Sequence, residues 1–273
     1  MTSADVHKII DYWSEQAKTY GSDPQANTPD YWLREIEYSN IARILKQFHG
    51  NLRILDIGCG NGYTTLKVAD AFPQHSFLGG DLSPDMIRVA RESRHASGSA
   101  AENNVQFEVV NVLDLRRYES SFDIVLSVRC LINLPSSELQ LAALKQIWQA
   151  LRKRGQCILI ENFQGPQEAL NRVRGELGLP SMPIRWHNRY FDETELVNEC
   201  EKLFEISESA PITSTYYLIT RVVYSKMCQI EGRVPDYDHP IYEIATKLPV
   251  LGDLGPVKLL RLIKKDNADG NPG

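Results

Sequence analysis

The feature that most restricts the fold of this 273-residue chain is an alternation of short apolar runs and longer amphipathic stretches between positions 53 and 162. The apolar runs are nearly continuous, which is typical of strands buried on both faces. The intervening stretches carry apolar residues at helical spacing. This alternation predicts a mostly parallel sheet covered by helices on both faces, and right-handed connections make such a sheet doubly wound.

The same reading extends beyond the alternating region. Strands are predicted at 53–58, 76–82, 105–111, 122–128, 155–162, 204–212 and 215–227, the last two as an antiparallel pair. Helices are predicted at 11–20, 31–48, 62–72, 83–95, 136–153 and 165–179. The predicted fold is therefore an α/β, Rossmann-like, seven-stranded sheet with an antiparallel C-terminal strand. It carries an N-terminal helical lid and an insert between strands 5 and 6.

Charge and cysteine usage argue against several classes of protein. The net charge of -5 and the pI of 5.7 argue against a nucleic-acid partner, because phosphate binding usually requires a basic surface. The five cysteines are widely spaced without a CxxC pair, and no metal-ligand cluster is visible, so we expect neither a disulfide framework nor a metal site. The chain has no apolar leader and no bilayer-length run, so we expect a cytoplasmic location without stable membrane insertion.

A glycine-rich turn follows the first predicted strand and opens the next helix. Asp56 precedes Gly58, Gly60 and Gly62, which together form a GxGxG pattern. Glycines allow backbone N–H groups to approach a ligand closely, and a helix N-terminus favours polar or anionic groups. A dinucleotide site has GxGxxG spacing, and an acid directly before the loop would repel a pyrophosphate. The pattern therefore favours a nucleotide-like ligand that carries positive charge.

This motif resembles the first motif of the class I S-adenosylmethionine-dependent methyltransferases. Asp81 closes the second strand, where the family's acid bonds both ribose hydroxyls. Positions 111–115 and 122–127 occupy the places of the adenine-binding segment and the fourth strand, so the resemblance covers about residues 50–165 in order. Asn111 stands where the family commonly has Asp, although its carbonyl can still accept a hydrogen bond from adenine.

The resemblance implies S-adenosylmethionine as the cofactor and a set of residues that hold it. Asp56 is expected to hold the loop or the amino group of the methionine, and Leu82 and Met86 are expected to flank adenine. Tyr20 or Arg34 would meet the carboxylate. The other reading is that Asp56 and Asp81 are turn and helix-cap residues. The full predicted cofactor set is Tyr20, Arg34, Asp56, Gly58, Gly60, Gly62, Asp81, Leu82, Met86, Asn111 and Val112.

The acceptor is expected at the carboxyl ends of the strands. His187 is the candidate general base, because its usual pKa suits proton transfer near neutral pH; His239, Tyr216 and Tyr217 are substitutes. The stretch around it lies in the insert after strand 5, which often forms a substrate lid in this superfamily. The alternative is a loop whose Trp and Tyr rings fill the core while its charged side chains face water. The predicted substrate contacts are Arg129, Asn133, Glu161, Arg185, Trp186 and Tyr216.

No linker divides the chain, so a single domain is predicted over 1–265. Its parts are a helical cap, a cofactor-binding core, a substrate-lid insert, and final strands with a C-terminal extension, at 1–49, 50–165, 166–200 and 201–265. The tail 266–273 is predicted to be disordered. No pattern indicates an oligomeric state.

In finer detail the chain looks like bacterial methyltransferases of surface-polysaccharide or secondary-metabolite pathways. The expected activity is methyl transfer to a small polar acceptor, such as a hydroxyl of a sugar. The alternatives are N-methylation of a small molecule, an RNA or protein methyltransferase, and a regulator that binds the cofactor without catalysis. A nicotinamide-dependent oxidoreductase is disfavoured by the glycine spacing.

Overall fold

The fold is built on one seven-stranded sheet in a computed structural model that describes residues 3–97 and 101–266. The strand order is β3-β2-β1-β4-β5-β7-β6. Neighbouring strands are parallel except β7, which runs antiparallel to β5 and β6. The strands are β1 (Arg53–Ile57), β2 (Ser76–Asp81), β3 (Val105–Val109), β4 (Phe122–Val128), β5 (Leu151–Asn162), β6 (Phe204–Pro211) and β7 (Val257–Lys264).

Helices connect and cover these strands. The first six are α1 (Ser3–Tyr20), α2 (Tyr31–Leu45), α3 (Tyr63–Ala71), α4 (Pro84–Ser97), α5 (Ala101–Asn104) and α6 (Ser137–Ala150). The others are α7 (Gln164–Glu176), α8 (Glu193–Leu203), α9 (Ser214–Tyr217), α10 (Tyr224–Ile230) and α11 (Ile241–Thr246). A π-helical turn, Leu218–Val223, joins α9 to α10.

Both faces of the sheet are buried, which explains the continuous apolar strands. Ile54 and Leu55 are adjacent in β1, yet they belong to different hydrophobic clusters because successive strand residues point to opposite faces. The Ile54 cluster includes side chains of α2, α3 and α4, and the Leu55 cluster includes side chains of α6 and α8. Burying an aliphatic side chain of this size contributes about 2 kcal/mol.

The N-terminal helices lie over the carboxyl ends of the strands. Helix α1 packs on α4 through Trp13 and Ala17, which contact Met86 and Val89. Helix α2 begins at its N-cap Asp30, whose carboxylate accepts a hydrogen bond from the Leu33 backbone at 3.0 Å. This arrangement confirms the predicted doubly wound sheet, its helices on both faces and its single antiparallel strand.

The seventh strand is not where the sequence predicted it. Positions 215–227 are rich in Tyr, Ile, Thr and Val, which favour strands, but this segment is helical. Its tyrosines 216, 217 and 224 are buried against the same cluster as α2, so tertiary packing overrides the local preference. The antiparallel strand is β7, which lies in the C-terminal extension predicted to follow the final strands.

Two further predictions concern the ends and surfaces of the chain. Positions 267–273 of the predicted disordered tail lie outside the described residues. In the described part of the chain, no helix combines the length and the apolar character that crossing a membrane requires. The predicted division of the domain into four parts stays a prediction.

Candidate functional site

A cleft opens at the carboxyl ends of β1 to β4, the position at which open α/β sheets bind ligands. Its walls come from the loops after these strands, from the start of α4, and from α1 and α2. The predicted site residues that line it are Arg34, Asp56, Gly58, Gly60, Asp81, Leu82, Met86, Asn111, Val112, Arg129 and Asn133.

The Asp81 carboxylate connects the first two strand ends. Its Oδ2 accepts a hydrogen bond from the Gly60 backbone at 3.0 Å, and its Oδ1 accepts one from Ser83 at 2.9 Å. Burial raises the pKa of Asp81, while these N–H donors oppose the rise. Because each carboxylate oxygen can accept a second hydrogen bond, Asp81 can hold the loop and a ligand together.

The glycines of the loop differ in what surrounds them. Gly60 has a φ of 56°, which favours glycine, and a Cβ there would lie 2.4 Å from Asn27 Nδ2, so the loop and the N-terminal segment approach each other closely at this position. Gly62 does not line the cleft, contrary to its predicted ligand role. Its φ is 78°, and a Cβ there would lie 2.8 Å from the Phe107 ring, so packing against β3 explains this glycine.

Asp56 and Arg34 are charged side chains buried at the base of the cleft. Thr65 donates a hydrogen bond to Asp56 Oδ2 at 2.5 Å, and burial raises the pKa of Asp56 to about 6. Arg34 donates to the Pro24 carbonyl at 2.8 Å, and its guanidinium lies over the Tyr63 ring. Burial, followed by the positive charge of Arg129, lowers the pKa of Arg34 to about 10.

Apolar side chains from the loops after β2 and β3 and from the start of α4 also line the cleft, together with Asn111. Leu82, Met86 and Val112 form a surface that suits a flat aromatic ring. The Asn111 side-chain oxygen already accepts a hydrogen bond from the Leu113 backbone at 2.9 Å. This contact fixes the turn after β3, and the second lone pair of the oxygen stays available.

An ion pair lies where β4 ends. Arg129 Nε donates to Glu37 Oε1 at 2.6 Å, and both side chains line the cleft. The Glu37 side chain is only 2% exposed. Arg129 has a φ of 48°, a conformation that costs a non-glycine residue on the order of 1 kcal/mol and that clusters at functional sites. Glu37 therefore holds a strained arginine in one orientation.

Asn133 contributes an oriented amide to the same end of the cleft. Its Nδ2 donates to the carbonyl oxygens of Arg129 at 2.9 Å and Cys130 at 3.2 Å, which fixes the orientation of the amide. Its Oδ1 is shielded from solvent and has no hydrogen-bond partner among the described residues. An unpaired buried acceptor is costly, so this oxygen is suited to a donor on a ligand.

Glu161, a predicted substrate contact, does not line the cleft. Its Oε1 accepts hydrogen bonds from Ser127 Oγ at 3.1 Å and from the backbones of Cys130 and Leu131 at 3.0 and 2.8 Å. It anchors the β4 loop from behind, so the prediction of direct contact is corrected to support of the loop. Burial raises the pKa of Glu161 to about 8.

This pKa gives a testable dependence of stability on pH. Between the ordinary value of 4.5 and about 8, the folded chain binds a proton that the unfolded chain has released. The free energy of unfolding therefore falls as pH rises through this window. Glu161→Gln does not titrate and leaves the oxygen equivalent to Oε1 in place. We expect the variant to gain about 2–4 kcal/mol relative to wild type between pH 5 and pH 8.5, measured by urea unfolding.

The matched control is Glu205→Gln, which removes a carboxylate that is 56% exposed and paired with Arg154 on the surface. Its pH profile should run parallel to that of wild type. If the Glu161→Gln profile is also parallel, Glu161 does not titrate in this range.

Several other predicted residues lie away from the cleft lining. Tyr20, Arg185 and Trp186 are exposed, the last by 66%. Tyr216 donates its hydroxyl to Asp30 Oδ1 at 2.5 Å in the interior, so it supports α2 and does not face a substrate. The Arg185 charge therefore faces outward, as in the alternative prediction for that segment, but the exposed Trp186 does not fill the core.

His187, the candidate base, packs behind the cleft wall. Its ring stacks on Tyr12 at 4.4 Å and meets the edge of Trp13 at 5.6 Å, and Trp13 lines the cleft. Burial, together with the charge of Arg185, lowers the pKa of His187 to about 4, so the ring is a weak base. Its Nδ1 has no hydrogen-bond partner within the described ranges. The geometry does not bring His187 to the cleft surface.

Glu37 and Asn27 also line the cleft and were not predicted from the sequence. Glu37 had a detectable signal, because it lies four residues after Leu33 and four before Ile41, on the apolar stripe of α2. A charged residue at a core position of a helix is usually paired or functional. Asn27 had no such signal, since turn segments are commonly rich in Asn.

Comparison with known proteins identifies the domain. Residues 54–155 match a family model described as a methyltransferase domain. Phosphoethanolamine N-methyltransferase 2 of Caenorhabditis elegans is 30% identical over half of this chain, and ajmaline N-methyltransferase of Rauvolfia serpentina is 35% identical over 31% of it. These matches cover 30% and 28% of the two relatives, so the chain spans less than a third of their length.

Solved structures share the fold at low identity. A SAM-dependent methyltransferase from Methanosarcina mazei superimposes with a TM-score of 0.55 at 19% identity, covering 81% of this chain and 96% of the other. The [4+2]-cyclase SpnF superimposes with a TM-score of 0.57, also at 19% identity, covering 84% and 80%. The same fold therefore occurs in a protein named for a different reaction.

Residues 54–155 therefore carry a methyltransferase domain, which confirms the resemblance to S-adenosylmethionine-dependent methyltransferases over that part of the chain. The cofactor of this domain is S-adenosylmethionine. The cleft fits that group: besides the close approach at Gly60, Asn27 Oδ1 and Arg34 Nε are buried without hydrogen-bond partners among the described residues. Both belong to residues that line the cleft.

Proposed function

We propose that this chain transfers a methyl group from S-adenosylmethionine to a small polar acceptor, most specifically to a hydroxyl of a sugar or related metabolite. S-adenosylmethionine supplies a methyl group that is activated by an adjacent sulfonium. Asp81 would accept hydrogen bonds from the ribose hydroxyls, and Leu82 and Met86 would flank adenine. Arg34 and Asp56 would meet the charged groups of the methionine portion.

The observation that carries the acceptor proposal is the fixed, unpaired Asn133 Oδ1 at the end of β4. This oxygen can accept a hydrogen bond from an acceptor hydroxyl and orient it. Since the donor is already activated, most of the rate enhancement would come from such alignment and from exclusion of water. Trp13 and Ile9 of α1 form an apolar wall that excludes water from the same cleft.

An amine acceptor is the second candidate, because an N–H can donate to Asn133 Oδ1 as well as an O–H can. The two relatives described above are both named as N-methyltransferases. A charged ammonium must first lose a proton before it attacks, whereas a sugar hydroxyl loses its proton as the bond forms. The rate of methyl transfer is therefore expected to depend on pH differently for amine and for hydroxyl acceptors.

The test is calorimetric titration with S-adenosylmethionine, followed by mass-spectrometric detection of methyl transfer to a panel of neutral glycosides and primary amines. Asn133→Ala is expected to lower kcat/KM by roughly tenfold while the Kd for S-adenosylmethionine changes little. Asn40→Ala is the matched control, since this amide bonds the Ile36 carbonyl outside the cleft. Tight cofactor binding without transfer to either class would contradict the proposal and favour a regulator.

A further inference from the structure

Five charged side chains line the described cleft: Arg34, Glu37, Asp56, Asp81 and Arg129. They form one electrostatic cluster, because the charges of Arg129, Glu37 and Asp56 all act on Arg34. With two cations and three carboxylates, the cluster is negative by one charge. S-adenosylmethionine is a zwitterion with an additional sulfonium, so it carries the compensating positive charge. The loaded cleft is then electrically balanced.

Glu37 neutralises the positive charge of Arg129 at the end of β4, where we place the acceptor. Its carboxylate accepts two hydrogen bonds from the Arg129 guanidinium, from Nε to Oε1 at 2.6 Å and from Nη2 to Oε2 at 3.3 Å. Without Glu37, Arg129 would present an uncompensated positive charge where β4 ends and would attract an anionic acceptor. With Glu37, no described residue accepts a hydrogen bond from Arg129 Nη1, so this group can donate to a neutral oxygen.

We propose that Glu37 is a specificity-determining residue that neutralises Arg129, so that the loaded cleft selects an uncharged acceptor. This inference rests on the proposed function. The exposed arginines of the insert, Arg185 and Arg189, do not alter the balance because neither lines the cleft. A buried charge that is not neutralised costs several kcal/mol, whereas a neutral hydroxyl enters the balanced cleft without that cost.

The first arm of the test measures the charge without requiring an acceptor. S-adenosylmethionine and S-adenosylhomocysteine differ by the sulfonium charge, and their Kd values are measured by calorimetry for each variant. Glu37→Gln removes one negative charge at nearly constant shape. We expect the preference for S-adenosylmethionine over S-adenosylhomocysteine to fall by roughly fivefold. Glu37→Gln combined with Arg129→Gln restores the net charge and should restore most of the preference.

The matched control is Glu35→Gln on the same helix. Glu35 also pairs with a cation, Lys67 at 2.5 Å, but it does not line the cleft. The Glu35→Gln variant should prefer S-adenosylmethionine over S-adenosylhomocysteine to the same degree as wild type. An unchanged preference in Glu37→Gln, or an equal fall in Glu35→Gln, would overturn the inference. If wild type binds neither ligand, the proposed function fails instead, so the two failures are distinguishable.

The second arm compares methyl glucoside, glucuronate and glucosamine as acceptors. Wild type is expected to favour the neutral glycoside, and Glu37→Gln should shift the ratio of kcat/KM toward glucuronate by about tenfold. Faster methylation of glucuronate than of methyl glucoside by wild type would overturn the inference. Thermal melting of each variant shows whether the fold is retained.

Discussion

Replacing Asp81 by alanine is expected to weaken binding of S-adenosylmethionine by at least about 100-fold. Hydrogen bonds to a charged group contribute about 1.5–3 kcal/mol each, and the proposed contact to the ribose hydroxyls includes two of them. The substitution also removes the acceptor for the backbone N–H groups of Gly60 and Ser83, so the glycine loop loses its anchor. Calorimetric titration measures the effect directly.

Two other variants separate these contributions. Asp81→Asn keeps one carbonyl oxygen of the same reach and should retain part of the affinity, with a loss of about tenfold. Asp85→Asn removes a carboxylate from the first turn of α4, outside the cleft lining, and should bind as wild type does. Affinity of Asp81→Ala within about threefold of wild type would refute the proposed role.

Replacing Asp30 by alanine is expected to have the largest effect on stability. Asp30 is 3% exposed and accepts hydrogen bonds from the Leu33 backbone, from the Tyr216 hydroxyl and from Arg221. The Arg221 guanidinium lies under the rings of three tyrosines, 217, 237 and 242, where water does not replace the lost partner. We expect the free energy of unfolding in urea to fall by about 3–5 kcal/mol, the usual effect of leaving a buried charge unpaired.

The control for this variant is another helix N-cap. Asp192 caps α8 by accepting a hydrogen bond from the Glu195 backbone at 2.9 Å, but no buried cation contacts it among the residues that the structure describes. Asp192→Ala should cost only about 1 kcal/mol. Equal losses for the two variants would mean that capping accounts for the effect and that the Arg221 pair contributes nothing.

The parts of the fold that follow from local chemistry were predictable. Continuous apolar strands, helical periodicity and a glycine turn depend on neighbouring residues, so the first five strands and the cofactor loop lie where the sequence indicated. The helical segment 214–230 was not predictable in this way. Its tyrosines and β-branched residues favour a strand, and contacts with residues distant in sequence, among them Asp30 and side chains of α2, stabilise it as a helix.

In the candidate site, too, some residues are predictable from local spacing and others depend on tertiary packing. Asp56, Gly58, Gly60 and Asp81 are predictable because their spacing within one strand–turn–helix unit sets their position. The Glu37–Arg129 pair instead joins α2 to the residue that follows β4, across 92 positions of sequence, so local spacing could not predict it. The contacts of the insert were also not predictable from its own residues. Its aromatic and basic residues resemble a binding loop locally, yet Tyr12 and Trp13 engage His187 from another element.

The position of β7 between β5 and β6 has a consequence for biosynthesis. Strand β6 has β7 as its neighbour within the described sheet, so it can join only after residues 257–264 have left the ribosome. The β5 edge likewise stays unpaired during that interval. Contacts of such long sequence separation form slowly, and open strand edges are prone to mispairing. A nascent chain of this protein therefore has the strands of its ligand-binding half in place while one side of its sheet still requires protection from aggregation.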